Sequence, residues 1–393
     1  MNEVFYTKEK ELSTDTCKKC KLHLFCKSPK HKVIGQGAKH ILVVLEAPGR
    51  QEDLYSSTGK TLLYLEQKFA KYDIDLYKDC WITFGVSCRP SRKSRKPTKR
   101  EVKYCSKILA KRILKLKPSL VFLMGEIALY SFLDDRLGNA IGGIKKWRGF
   151  TIPDQRYKTW VIATYHPMHI KRTEYKMEKK ILSKIFSTDI KRGLKKQKKK
   201  VPLYKKYKVN IINEDDAIAE LCYIHQNNPV KLIAFDYETT GLKPYTKGHE
   251  IVCCGISYKK NQASAFLMTD KLKKYCKMIL ADKYISKTAH NIKFEHLWSK
   301  IILKTKVRGW KWDSMIAAHQ IDNRTGITGL KFQAYINFGQ EDYSSHLNKY
   351  IKTDGEDEFN KVKEAPQQEL LHYCGMDALL QFKLAVKQMK ELK

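Results

Sequence analysis

Short apolar runs recur through the first half of the chain, at 41-ILVVL-45, 119-SLVFLM-124 and 159-TWVIAT-164. Segments with helical spacing separate them, at 61–72, 100–116 and 126–134. Strands alternating with helices predict an α/β layer around a largely parallel sheet. A further apolar run, 81-WITFGV-86, ends just before Cys88. The pattern breaks at 191-KRGLKKQKKKVPLYKKYKV-209, which is about half Lys and Arg and reads as a basic linker or arm. Beyond it, runs at 231–236, 250–257 and 263–268 follow closely on one another and predict a small mixed or antiparallel sheet. Helical patterns dominate from about 291 onward. The expected division is a first domain at 1–190, a linker at 191–208 and a second domain at 209–393.

Composition narrows the function. With 393 residues, 42% of them hydrophobic, the chain has room for two cores. Lys and Arg number 76 against 41 Asp and Glu, a net charge of +35 that points to a polyanionic partner, with nucleic acid the usual one. No apolar run reaches membrane-spanning length, and Met1-Asn2-Glu3 opens no signal peptide, so a cytoplasmic protein with no membrane partner is expected. In that reducing setting the eleven Cys are not expected to form disulfides. Cys222, Cys253 and Cys254 sit in apolar patterns and read as core. Cys17-x-x-Cys20, Cys88 and Cys105 are spaced like ligands for zinc or an iron–sulfur cluster.

The strand pattern 231-KLIAFDYETTGL-242 ends in Asp236 and Glu238, which share a face because a strand repeats every two residues. Two adjacent carboxylates suit a solvated edge or a cation. Further acids favour the cation. Asn291 and Glu295 lie four apart, as do Tyr373 and Asp377, so each pair shares a helical face. Asp236, Glu238, Glu295 and Asp377 together would make an oxygen-rich site for Mg²⁺ or Mn²⁺. Two such ions about 4 Å apart clamp the attacking and leaving oxygens of a phosphodiester. Tyr373, one turn from Asp377, is placed to orient the attacking water.

Taken in order, 236-DYETTGL-242, 290-HNIKFE-295 and 373-YCGMD-377 resemble the 3′→5′ proofreading exonuclease domain of family A DNA polymerases, of the DEDD type with tyrosine in the third motif. The stretch 312-WDSMIAAHQID-322 is similar to the helix after the second motif. The resemblance covers roughly 205–393 and implies an RNase H-like fold. One departure is Glu295, where the family commonly has Asp. The polymerase parts of that family are not in this sequence, so polymerisation is expected from a separate DNA polymerase chain.

In the first domain, Glu46 and Pro48 follow one strand pattern and His166 follows another, where α/β sheets place ligand sites. An acid and an imidazole facing one crevice can perform acid–base chemistry. The order 17-CKKCKLH-23, 33-VIGQG-37, 46-EAPGRQED-53, 88-CRP-90, Cys105, Gly142-Gly143-Ile144 with Arg148-Gly149, and 165-YHP-167 resembles a family 4 uracil-DNA glycosylase over about 15–190. The resemblance implies a [4Fe-4S] cluster on Cys17, Cys20, Cys88 and Cys105, with Cys26 an additional nearby thiol. It places Glu46 near the attacking water and His166 against the leaving base. Two departures stand out. Phe84 replaces the Asn whose amide reads the uracil edge, and a phenyl ring there is expected to fill the room the base needs. The segment 54-LYSSTGKTLL-63 lacks the family's stacking Phe, for which Tyr55 is the nearest substitute. The 57-STGKT-61 stretch imitates the end of a P-loop, but Leu54 stands where the first Gly belongs, so a nucleotide triphosphatase is not expected.

The joined resemblance, a glycosylase-like α/β/α domain followed by an RNase H-like exonuclease domain, is similar to the front end of DNA polymerases in some large bacteriophages, which implies an infected bacterial host cell. The function expected is a replication-associated 3′→5′ DNA exonuclease acting on single-stranded 3′ ends and primer–templates, its first domain gripping DNA or docking a polymerase. The alternatives are a bifunctional repair enzyme with active uracil excision and a non-catalytic replication subunit.

Overall fold

The computed structural model describes residues 15–55, 59–90, 95–133, 136, 142–177, 180–204, 207–226, 230–353, 355 and 357–392. The chain divides into two compact units, Met1–Leu203 with Ile336–Glu341, and Tyr204–Tyr335 with Asp342–Lys393.

The first unit is built on a five-stranded sheet of β1 (Ile41–Leu45), β2 (Cys80–Phe84), β3 (Leu120–Met124), β4 (Ile152–Asp154) and β5 (Thr159–Thr164), in the order β2-β1-β3-β5-β4. All pairings are parallel except β4 against β5. Every residue of β1, β2, β3 and β5 is buried, as continuous apolar runs in a sheet covered on both faces require. The predicted helices appear at Lys60–Ala70, Lys99–Leu116 and Glu126–Leu133. Thr98 and Glu101 close a reciprocal capping box at the start of the second.

The helix Ile181–Gln197 packs on β3 and β5, and it runs into the segment read as a linker. Gly193 makes this possible, since a Cβ there would lie 2.6 Å from the Phe122 ring and 2.9 Å from Ile162. The indole of Trp160 then donates to the carbonyl of Lys199 at 2.8 Å. Residues 191–199 are therefore anchored to the first unit rather than forming a free arm. Their lysines gave the sequence a linker's composition because they occupy the helix's outer face.

The second unit has a six-stranded mixed sheet of β6 (Lys208–Ile211), β7 (Ile233–Thr239), β8 (Ile251–Lys259), β9 (Gln262–Leu267), β10 (Lys287–Ala289) and β11 (Trp310–Asp313), in the order β11-β10-β7-β8-β9-β6. β7, β8 and β9 form an antiparallel meander, and the outer strands are parallel to their neighbours. The long helix Gln367–Glu391 lies directly on this sheet. Two glycines permit the close approach: a Cβ on Gly375 would meet Val209 Cγ1 at 2.4 Å, and one on Gly255 would meet the Cys374 carbonyl oxygen at 2.5 Å. Buried Gln381 ties the layers by donating to Phe235 O at 2.6 Å and accepting from His290 N at 2.9 Å.

Candidate active sites

In the second unit, Asp236 and Glu238 occupy alternate positions of β7 and lie opposite Gly255 and Cys253 of β8. Glu295 projects from the helix Ile292–Ile301, whose start is held by Asp313. The Asp313 carboxylate accepts from Asn291 N at 3.3 Å and Ile292 N at 2.8 Å. It also caps the helix Ser314–Ile321 by accepting from Met315 N at 2.9 Å and Ile316 N at 3.1 Å. Asp313 thus positions the Glu295 helix against β11, a role that spacing in the sequence did not reveal. Tyr373 and Asp377 come one turn apart from the helix Gln367–Glu391.

The four carboxyls act on one another. Burial pushes those of Asp236, Glu238 and Glu295 well above the usual carboxylate range. The Asp377 charge raises Asp236 further, and the Asp236 charge raises both Glu238 and Glu295. Glu295 is 3% exposed, and its Oε2 has no hydrogen-bond partner. A buried carboxylate oxygen left unpaired among other acids is a poor arrangement without a cation and a good one with it. Lys331 Nζ and the Tyr343 hydroxyl both donate to Asp377 Oδ1, and Lys331 also donates to Tyr343 at 2.8 Å. Its ammonium lies 4.2 Å and 4.3 Å from the centroids of the Tyr343 and Tyr373 rings. Neither Lys331 nor Tyr343 was legible in the sequence, where Lys331 is one cation among many.

In the first unit, a cavity of about 410 Å³ opens at the carboxyl ends of the parallel strands, and Glu46, Pro48, Phe84 and His166 all line it. Gly125, at the end of β3, has φ +101°, and a Cβ there would come within 2.4 Å of Glu46 Oε1. Burial raises the Glu46 carboxyl. Burial also lowers His166, to about 4, so the ring is neutral near pH 7. Met168 N donates to His166 Nδ1 at 3.2 Å, which leaves the ring proton on Nε2 as a hydrogen-bond donor. Phe84 is 2% exposed and sits edge-on to His31, with ring centroids 5.1 Å apart. Phe84 thus lines the cavity while its ring also packs against His31. Arg50, Arg89, Arg95, Lys96 and Arg172 contribute to the wall. The side chain of Tyr55 lies outside the described residues, as do Ser57 and Thr58 of 57-STGKT-61.

Cys17 and Cys20 on the short helix Asp15–Cys20, Cys88 beyond β2, and Cys105 on the helix Lys99–Leu116 all line one small cavity. Leu22, Val86, Val102, Ile108 and Ile127 seal the apolar cluster around them, with Cys26 packed against it. Among the described residues, no three of these thiols have sulfurs within 4.8 Å of one another.

The chain thus carries a parallel-sheet α/β/α unit with a pocket at its strand ends and an RNase H-like unit with buried acids. Residues 33–188 match the uracil DNA glycosylase superfamily, and residues 209–393 match the 3′-5′ exonuclease family. The type-4 uracil-DNA glycosylase of Archaeoglobus fulgidus is 31% identical over 161 residues, covering 39% of this chain and 76% of the relative. That of Thermotoga maritima is 31% identical over 176 residues, covering 42% of this chain and 86% of the relative. Among solved structures, NrnC from Brucella melitensis is similar at 18% identity with a TM-score of 0.35, covering 48% of this chain and 82% of that one. Through its first unit the chain belongs to the type-4 uracil-DNA glycosylase family, and its second unit is a 3′-5′ exonuclease domain. The chain is thus a 3′-5′ exonuclease whose chemistry employs divalent metal ions. Among the described residues, no helix is long and apolar enough to cross a membrane.

Proposed function

We propose that the chain is a proofreading-type 3′→5′ DNA exonuclease of replication, working beside a separate DNA polymerase chain of the kind found in large bacteriophages. The observation that carries the reading is Asp236 and Glu238 side by side on β7, with ligand oxygens within 4.8 Å of each other, Asp377 and Glu295 in electrostatic reach of Asp236, and one Glu295 oxygen unpaired. This donor set fits two Mg²⁺ or Mn²⁺ ions, which when bound supply a nucleophilic water and charge neutralisation at the phosphate. The chain's own groups do the rest. Asp236 and Glu238 hold their positions through the β7 ladder, and Asp377 through its helix. The Tyr373 hydroxyl orients the attacking water. Lys331, between two tyrosine rings, holds Asp377 in place.

In this reading the first unit, to about residue 203, is the DNA-gripping or polymerase-docking domain, 209–393 is the nuclease, and the basic residues of 191–208 contact phosphates. The four-cysteine cavity fits a [4Fe-4S] cluster better than zinc. Zn–S bonds of about 2.3 Å in a tetrahedron draw the four sulfurs to roughly 3.8 Å of one another. Among the described residues no three of these sulfurs lie within 4.8 Å of one another, and a cubane, whose irons separate its thiolates, does not ask it of them.

A second reading, active uracil excision, is favoured by the open 410 Å³ cavity with Glu46 and His166 on its wall. There a neutral His166 donates from Nε2 to the departing base, and Glu46 sits where water attacks the sugar. Against it, Phe84 offers the base edge no hydrogen bond, and an unpaired polar atom costs about 1–3 kcal/mol. The deciding experiment gives the purified chain Mg²⁺ and 3′-labelled primer–templates, paired and mismatched at the 3′ end, and a uracil-containing duplex. Faster release from the mismatched end with little base loss supports proofreading. Robust abasic-site formation promotes the second reading, and equal indifference to both substrates removes the first.

A further inference from the structure

Beneath the exonuclease carboxylates lies sulfur. Cys374 follows Tyr373 on the long helix, and its Sγ comes within 4.8 Å of carboxylate oxygens of both Asp236 and Glu238, which lie equally close to each other. The thiol donates to the Asp236 carbonyl at 3.5 Å. Cys253, directly opposite Glu238 in the β7–β8 register, contacts Cys374 through its own thiol. Both sulfurs are fully buried, at 0% exposure. A further buried carboxyl, Glu295, 3% exposed with an unpartnered Oε2, lies in the field of Asp236.

A site for Mg²⁺ needs only hard oxygens. Soft thiolates select Zn²⁺ and its heavier relatives, and they add nothing to Mg²⁺ binding. Small apolar packing would account for a cysteine at 374, but it does not require a sulfur within coordinating range of two acids. We propose that the floor of the exonuclease site is a second metal site, for thiophilic divalent cations such as Zn²⁺ and Cd²⁺, with Asp236, Glu238 and Cys374 as ligands and Cys253 supporting Cys374. Binding displaces the thiol proton to solvent and occupies the carboxylates that the hard ions need. The nuclease is therefore switched off by a soft cation even when Mg²⁺ is abundant. This inference rests on the reading of Asp236 and Glu238 as metal ligands.

The test uses the full chain as purified, identical in its N-terminal unit across all variants. Wild type, Cys374→Ala and Cys253→Ala are titrated with Cd²⁺ in the presence of Mg²⁺, and thiolate-to-cadmium absorption in the ultraviolet is recorded. Inhibition of nucleotide release is measured in parallel, relative to each variant's own rate. The wild type should show one saturating absorption step that Cys374→Ala lacks. Its inhibition should shift to higher Cd²⁺ by more than about 100-fold in Cys374→Ala, beyond what loss of a supporting partner costs, and by about 10–100-fold in Cys253→Ala. If Cys374→Ala fails to fold, Cys374→Ser, which keeps the size and removes the soft donor, should show the same loss. Identical absorption and inhibition in wild type and Cys374 variants would overturn the proposal. Its failure is separable from failure of the nuclease reading. The absorption step needs no nuclease activity, and loss of Mg²⁺-supported cleavage in Asp236→Ala needs no thiol.

Discussion

Replacing Gly255 by Ala should damage the nuclease without touching any acid. Gly255 pairs with Asp236 across β7 and β8. A methyl group there would lie 2.5 Å from the carbonyl oxygen of Cys374, 2.8 Å from its carbonyl carbon and 3.0 Å from Gly375 N. All three are backbone atoms of the long helix, so no side chain can turn aside. Restoring 3.4 Å, the near edge of ordinary contact, from 2.5 Å requires a shift of about 0.9 Å. Overpacking of this kind costs roughly 1–3 kcal/mol, which a domain with a typical 5–15 kcal/mol of stability survives. The shift moves Tyr373 and Asp377 away from Asp236 and Glu238, and a misplacement of about 1 Å costs on the order of 100-fold in rate. The assay is single-turnover release of 3′ nucleotides from a labelled oligonucleotide at saturating Mg²⁺, with thermal melting to verify the fold. Gly329→Ala serves as control, because a Cβ there meets nothing within 4 Å. If Gly255→Ala cleaves at the wild-type rate, the seating of the helix on β8 does not set the catalytic geometry.

Other outcomes follow from the first unit. Phe84→Asn should raise uracil excision by about 10–100-fold, the equivalent of restoring one hydrogen bond worth about 1–3 kcal/mol, measured as alkali-labile sites; no gain would mean that base reading is limited elsewhere. Anaerobically purified protein should be brown with about four irons per chain, and Cys88→Ser should lose iron and lower the melting temperature, whereas zinc without iron would overturn the cluster assignment. Neutral His166 contributes stability that is complete above the ordinary value near 6.5. It is lost as pH falls through about 4, because the unfolded chain takes up the proton first. The melting temperature should therefore drop across that window, and His166→Gln should flatten the drop; an unchanged slope would mean that other groups dominate it.

The parts of the fold visible in the sequence were those with unbroken patterns. β1, β3 and β5 are buried on both faces, and their apolar runs coincide with the strands within a residue or so. β6, β10 and β11 were missed. β6 and β11 are half-exposed edge strands with polar residues, and buried β10 is only three residues long, Lys287–Ala289. The fully buried Lys287 gives β10 no apolar signature, since its ammonium is satisfied by the Asp282 carbonyl. The candidate acids were readable in the sequence because periodicity places each pair on one face, and the structure brings Asp236 and Glu238 side by side. Their supporting residues were not, because Asp313, Lys331, Tyr343 and Gln381 act through contacts between elements distant in sequence. Phe84 was readable as a departure at the pocket, but its edge-on packing against His31 joins segments distant in sequence, which no local pattern records.

The central claim is that Asp236, Glu238, Glu295 and Asp377 form the centre that removes 3′ nucleotides. The most direct test offers the purified full chain a single-stranded DNA labelled at its 5′ end, with and without Mg²⁺, and resolves the products as a ladder. The account predicts Mg²⁺-dependent shortening from the 3′ end by single nucleotides, abolished in Asp236→Ala and in Asp377→Ala while both variants melt as folded proteins. Undiminished shortening in either folded variant would contradict it.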